Sequence, residues 1–300
     1  MTSRWEALLG PGSVVIDGGL STQLEARGHD VHDPLWTGRV LLESPEEVAR
    51  AHSDFVDAGA DVVITASYQV SRRGFEAAGL PARAADDALR ASVETAREAT
   101  RGSTVRVAAS IGPYGAVLHD GSEYRGRYGL SHAALVDFHA ERLEVLVDAV
   151  PDLLAIETIP DLEEAEALVE VLAAAPAMPA WLTFSAMDGE RTCAGQPIED
   201  AVAVAMTAPS IAAVGVNCTD PRFVTELVGR IRSVTELPIV IYPNAGGTWN
   251  PVEGSWSVEA SPTFDPDVVA QWLSAGAVAI GGCCGMDAQA IADLAHQLRA

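Results

Sequence analysis

The stretch SVVIDGGLSTQLEARG, residues 13–28, decides the fold. A short apolar run, 14–17, ends on Asp17-Gly18-Gly19 and passes directly into residues with helical spacing. That is the strand, turn and helix of an α/β unit. The turn lacks the G-x-G-x-x-G spacing with which an open doubly wound sheet holds a dinucleotide. Seven more apolar, β-branched runs follow, at 61–66, 106–111, 153–157, 180–185, 212–217, 238–242 and 277–282. Helical segments separate them, with apolar residues at helical spacing, as in Val224, Leu227, Val228 and Ile231. Near-continuous apolar strands are covered on both faces, and eight such units in a chain of this size predict a single-domain α/β (β/α)8 TIM barrel spanning 1–300. The extra length lies after the first, third and seventh runs, at 20–43, 112–130 and 243–265, where it would cover the C-terminal mouth. Ser44-Pro45-Glu46-Glu47 and Asp161-Leu162-Glu163-Glu164 predict capping boxes.

Composition narrows the function. The 300 residues are 48% hydrophobic, with mean hydropathy +0.16, which suits a large core and excludes a disordered or collagenous chain. The 19 basic residues against 42 acidic ones give a net charge of −23. Nucleic acid and anionic membranes are therefore not expected partners. All the basic residues are arginine; without lysine, no imine can form on the protein. Residues 1–12 carry no secretory apolar stretch, so a cytoplasmic location is expected. The uncharged stretches 201–219 and 268–286 are broken by Pro209-Ser210 and Ser274-Ala275-Gly276, and each reads as helix end, turn and buried strand rather than as a membrane span. No obligate protein partner is evident.

Polar residues stand where strands end: Asp17-Gly18-Gly19, Thr65 to Tyr68, Glu157-Thr158, Asn217-Cys218-Thr219, Tyr242-Pro243-Asn244 and Cys283-Cys284 between glycines. None of the seven histidines is among them, which removes a histidine-rich metal centre. Cys218, Cys283 and Cys284 come from the sixth and eighth strands, and three thiolates at one mouth suit Zn²⁺. Cys193 is the only further thiol for a fourth ligand; without it, the metal keeps an open position and is catalytic rather than structural. The bland alternative is that these are small buried core residues. Asp17 and Glu157 could bracket a cationic group such as an ammonium, or simply accept backbone hydrogen bonds. The turns at 244–247 and 281–282 could instead cradle a phosphate ester, although no arginine accompanies them.

Six motifs, in order along nearly the whole chain, carry a family resemblance: DGGLSTQLEARG (17–28), ITASYQ (64–69), GPYGA (112–116) with DGSEYRG (120–126), AIET (155–158), GVNC (215–218) and GGCCG (281–285). Together they resemble the homocysteine S-methyltransferases. The resemblance implies a zinc-dependent barrel with Cys218, Cys283 and Cys284 as ligands and the homocysteine sulfur in the open position. Asp17 and Glu157 would hold its ammonium, and backbone amides near Gly18 and Gly19 its carboxylate. A sulfonium donor would meet aromatic faces, Trp36 first and Tyr68 beside it, with Tyr114, Tyr124, Trp249 and Trp256 also near the mouth. GPYGA with DGSEYRG is similar to the branch that uses S-methylmethionine, and often S-adenosylmethionine, rather than the betaine branch. The chain departs from close relatives at Leu20-Ser21-Thr22-Gln23.

Overall fold

The computed structural model describes residues 3–31, 33–175, 177–246 and 263–300, with the backbone of 249–250 and 255–256. Its strands are β1 (Val14–Val15), β2 (Val62–Ile64), β3 (Arg106–Ile111), β4 (Leu153–Ile159), β5 (Ala180–Phe184), β6 (Ile211–Asn217), β7 (Ile239–Tyr242), β8 (Trp249–Asn250), β9 (Ser255–Trp256) and β10 (Ala277–Ile280). All except β8 and β9 form one parallel sheet in the order β1-β10-β7-β6-β5-β4-β3-β2. A parallel bridge between Ile16 and Val62 joins its two ends. Asp17 N–H donates to the Val62 carbonyl at 3.0 Å and Asp61 N–H to that of Val15 at 2.7 Å. The sheet is thereby a closed (β/α)8 barrel.

Period-two alternation sorts the strand residues. Ile16, Val62, Ala108, Leu153, Ala155, Trp181, Ala213, Val240 and Ala279 pack along the axis, while Val63, Val107, Leu154, Ile156, Leu182, Val214 and Ile241 face the helices. Gly215 is required by this packing: a Cβ there would lie 1.7 Å from the Val240 carbonyl oxygen. Trp5, on the helix Arg4–Leu9, packs with the axial residues. Val224, Leu227, Val228 and Ile231 are all fully buried, as their spacing predicts. The stretches 201–219 and 268–286 divide into helix Ile198–Ala205 with β6, and helix Pro266–Ala275 with β10. Among the described residues no helix is long and apolar enough to cross a membrane.

Both predicted capping boxes fail. Ser44 makes no side-chain cap, and Glu47 instead engages Arg27, His29 and Arg50. Asp161 accepts from Glu163 N–H at 3.1 Å, but Glu164 turns inward to the Tyr114 amide, Tyr128 and His139. A buried polar network outcompetes the local cap. The long connections hold helices Leu20–Ala26 and Thr37–Glu43 after β1, two 3₁₀ turns, Tyr114–Leu118 and Ser122–Tyr124, after β3, and the β8–β9 hairpin after β7. Much of the last connection lies outside the described residues.

Candidate metal centre

Strained backbone aims the first thiol. Cys218 has φ +45°, a left-handed conformation uncommon outside glycine, and its N–H donates to the Tyr242 carbonyl at 3.0 Å. Thr158, after Glu157, has φ +62°, at a register shift in the β4–β5 pairing. Asn217 holds both turns: its Oδ1 accepts from Thr158 N–H at 2.7 Å and Thr183 Oγ1 at 2.8 Å, and its Nδ2 donates to Thr158 Oγ1 at 2.8 Å. Asn217→Ala would strand these buried groups. A loss of about 3 kcal/mol, read as a lower urea midpoint, is expected with it.

The vicinal pair is fixed by its carbonyls and amides. Cys283 N–H donates to Pro243 O at 2.8 Å, Ala245 N–H to Cys284 O at 2.9 Å, and Gly285 N–H to Thr22 Oγ1 at 2.9 Å. The sulfurs of Cys218, Cys283 and Cys284 all lie within 4.8 Å of one another, and Cys218 and Cys284 are 3.6 Å apart. Tetrahedral zinc with bonds of about 2.3 Å would separate its sulfurs by about 3.8 Å, so the three residues fit such an ion. Hydrogen bonds from Cys283 and Cys284 hold Cys218 well below the ordinary thiol range. Their bonds to Cys218 hold the Cys283 and Cys284 thiols well above that range, so without a metal the cluster accommodates a single thiolate. The Tyr124 hydroxyl stands 3.1 Å from Cys218 Sγ.

Among the described residues the potential ligand group contains these three cysteines and not Cys193. Burial pushes the Cys193 thiol up to about 11, and Ser185 is its hydrogen-bond partner. Among the described residues the phosphate cradle also fails, because its amides are already spent; Gly247 lies outside them. Those of Asn244, Ala245 and Gly246 donate to Thr219 O, Cys284 O and Asn244 Oδ1, and those of Gly281 and Gly282 to Ile241 O and Asp17 O. These turns hold the cysteines.

Asp17 and Glu157 converge on the same mouth, close enough for the Glu157 charge to act on Asp17. Asp17 Oδ2 accepts from Ile64 N–H at 2.8 Å, whereas Oδ1 is buried without a partner. Burial, opposed by the Ile64 bond and reinforced by Glu157, holds its carboxyl well above the usual range. Glu157 accepts from Ser110 Oγ. Burial pushes it up from 4.5 to about 7 against the bonds from Ser110 and Tyr242. An orphaned oxygen and two carboxyls lacking a counter-ion describe a cavity that wants a cation. Because the folded value of Glu157 lies above the unfolded one, the folded substrate-free protein binds the extra proton, and its stability falls as pH rises from 4.5 to 7. The loss from this group is about 3 kcal/mol. Glu157→Gln should remove that share of the slope in urea unfolding at pH 5 and pH 8.

The glycines beside Asp17 serve close packing: a Cβ on Gly18 would meet Met286 O at 2.4 Å, and one on Gly19 would meet Cys283 O at 2.6 Å. Gly19 N–H already donates to Met286 O at 2.8 Å. Trp36 adopts φ +49° and ψ −125°, held by its N–H on Asp33 O at 2.7 Å. Gln69 Nε2 anchors the same turn through Pro34 O at 3.1 Å. The Trp36 ring meets Tyr68 edge-on, with centroids 5.7 Å apart. Tyr114 packs against Tyr128 and Phe138 rather than against these two rings. The side chains of Trp249 and Trp256 lie outside the described residues.

Sequence reasoning missed Arg142, Ser110 and Glu123. Arg142 is fully buried and donates to the carbonyls of Gly112 (2.8 Å), Ser67 (3.2 Å) and Tyr68 (2.6 Å), fastening the two loops that shape the mouth.

Three converging thiols and two carboxyls without a counter-ion at a barrel mouth define a (β/α)8 barrel with a candidate metal site. Residues 14–298 match the family model described as Homocysteine S-methyltransferase, and the chain belongs to that family of methyltransferases. It is 44% identical to Homocysteine S-methyltransferase 2 of Zea mays, over 94% of this chain and 88% of that one. It is 42% identical to Homocysteine S-methyltransferase of Escherichia coli (strain K12), over 90% of each. The crystal structure of the homocysteine methyltransferase MmuM from Escherichia coli, metallated form, superposes with a TM-score of 0.85 at 40% identity, covering 97% of both chains.

Proposed function

We propose that the protein transfers a methyl group from S-methylmethionine, with S-adenosylmethionine as a second donor, to homocysteine bound at Zn²⁺ on Cys218, Cys283 and Cys284, forming methionine. The observation that carries this reading is the meeting of three sulfurs with the Asp17 carboxyl, whose Oδ1 has no partner among the described residues, and the Glu157 carboxyl at one mouth. Zn²⁺ bound there would supply the Lewis acidity that turns a thiol of pKa about 8.5 into a thiolate at neutral pH.

Asp17 and Glu157 receive the homocysteine ammonium, which returns both carboxyls to their ionised forms and sets the direction of the chain between ammonium and sulfur. Amides at the start of the helix Leu20–Ala26 remain for the carboxylate, since that of Gly19 is committed to Met286. The thiolate attacks the donor methyl in line; a new C–S bond forms, and the electron pair of the old one leaves on the donor sulfur. The departing group is a neutral thioether, so no proton has to be supplied, consistent with strand ends that carry no histidine. Trp36 and Tyr68 offer aromatic faces to the onium before its charge is lost. Reduced thiols in the cluster suit a cytoplasmic setting.

Donor competition tests this reading. Metal-loaded protein with homocysteine is expected to give the highest kcat/KM with S-methylmethionine, less with S-adenosylmethionine and least with betaine. Preference for betaine would overturn the donor assignment.

A further inference from the structure

Glu123 is a carboxylate without a cation. It lies in the 3₁₀ turn Ser122–Tyr124, whose next residue places its hydroxyl on Cys218. The turn is held firmly: Asp120 accepts from Ser122 N–H at 3.0 Å, Gly126 N–H donates to Ser122 O at 2.8 Å, and Ser185 Oγ donates to Glu123 O at 3.3 Å. Gly115 packs so closely beneath it that a Cβ would lie 2.5 Å from Glu123 N. Among the described residues Glu123 Oε2 is buried and has no hydrogen-bond partner. The nearby Arg125 is spent on Asp120 and Ser122, and the chain has no lysine. Burial, with the Cys218 and Asp120 charges, pushes the Glu123 carboxyl up to about 7. After burial, its charge is the next cause holding the Tyr68 phenol protonated. Glu123 is thus a carboxyl without a dedicated counter-ion, within electrostatic reach of both Cys218 and an expected onium-facing aromatic.

We infer that Glu123, in the turn whose Tyr124 hydroxyl reaches Cys218 and with a buried oxygen that no described group pairs, is the counter-charge of the methyl donor and selects donors of net positive charge over zwitterionic ones. This rests on the methyl-transfer reading above. S-methylmethionine and S-adenosylmethionine carry a sulfonium beside a self-compensated amino-acid group, so they bring one positive charge to Glu123. A short onium carboxylate is neutral overall, and its carboxylate meets another anion with no arginine to receive it. Discrimination then comes from repulsion as well as attraction.

The test compares zinc-loaded wild type, Glu123→Gln and Glu123→Asp at saturating homocysteine. S-methylmethionine is the donor, and dimethylsulfonioacetate, a sulfonium with an attached carboxylate, is the alternative donor or competitive inhibitor. Glu123→Gln should raise KM for S-methylmethionine about tenfold, with kcat within about twofold and homocysteine KM and bound zinc unchanged. The apparent affinity for dimethylsulfonioacetate should hold or improve, so the preference between the two falls about tenfold. Glu123→Asp, which keeps the charge, should recover most of the loss. Equal losses with both sulfoniums, an unchanged preference, or a shift in homocysteine KM would overturn the role of Glu123 while leaving the methyl-transfer reading intact. Wild type that turns over no sulfonium donor would overturn both.

Discussion

Cys284→Ser is expected to leave a folded barrel that no longer retains stoichiometric metal and whose kcat/KM with homocysteine falls on the order of 10³-fold or more. Cys284 contributes its sulfur to the cluster 3.6 Å from that of Cys218, but its structural contacts run through its backbone, where the carbonyl accepts from Ala245. A serine keeps those bonds and removes a soft ligand, leaving two thiolates where a tight zinc site needs three or four protein donors. Cys193→Ser is the matched control. That thiol stands apart from the cluster, so metal content and turnover should stay within about twofold of wild type. Metal analysis of reduced protein and steady-state kinetics read both. If Cys193→Ser released the metal and Cys284→Ser did not, the site would be a closed structural one.

The second large effect concerns the acceptor's ammonium. Asp17→Asn and Glu157→Gln should each raise homocysteine KM roughly 10- to 100-fold, because a hydrogen bond to a charged partner contributes about 1.5–3 kcal/mol. The methyl donor's KM should move little. Asp17 carries the sharper expectation, since its Oδ1 is buried in the mouth and no group among the described residues claims it. The isosteric amides preserve volume, and the amide oxygen introduced by Asp17→Asn can still accept from Ile64 N–H. Equal rises in the KM of both substrates would place these carboxyls outside the acceptor's subsite.

The barrel was legible because its strands alternate between two apolar surroundings, and each apolar run is long enough to cross the sheet and no longer. The thiol cluster was legible for a related reason: cysteine and asparagine at the ends of buried strands have no packing duty that valine would not do better. Cys218 and Cys283-Cys284 could therefore be paired across strands. Arg142 was not legible. It lies on the helix His132–Asp148 among glutamates and alanines, where arginine ordinarily faces water, and only the tertiary fold shows three loop carbonyls waiting for it. Glu164 failed as a cap for the same reason: partners 25 to 50 residues distant claimed its oxygens. Tyr114 illustrates the limit of reading a loop from composition, since lying in a mouth segment did not bring its ring against those of Trp36 and Tyr68. Glu123 had a signal, an acidic residue beside Tyr124 in a turn with no lysine nearby, but its lack of a partner emerges only from the packing.

The most direct measurement is methionine formation from homocysteine and S-methylmethionine by reduced, zinc-reconstituted protein, with bound zinc counted in the same sample. One zinc per chain and two methionines for each S-methylmethionine consumed are the predicted result, since donor and acceptor both end as methionine. Bound zinc without methionine from any sulfonium donor would contradict the reaction, and failure of the reduced protein to bind zinc would contradict the site on which it rests.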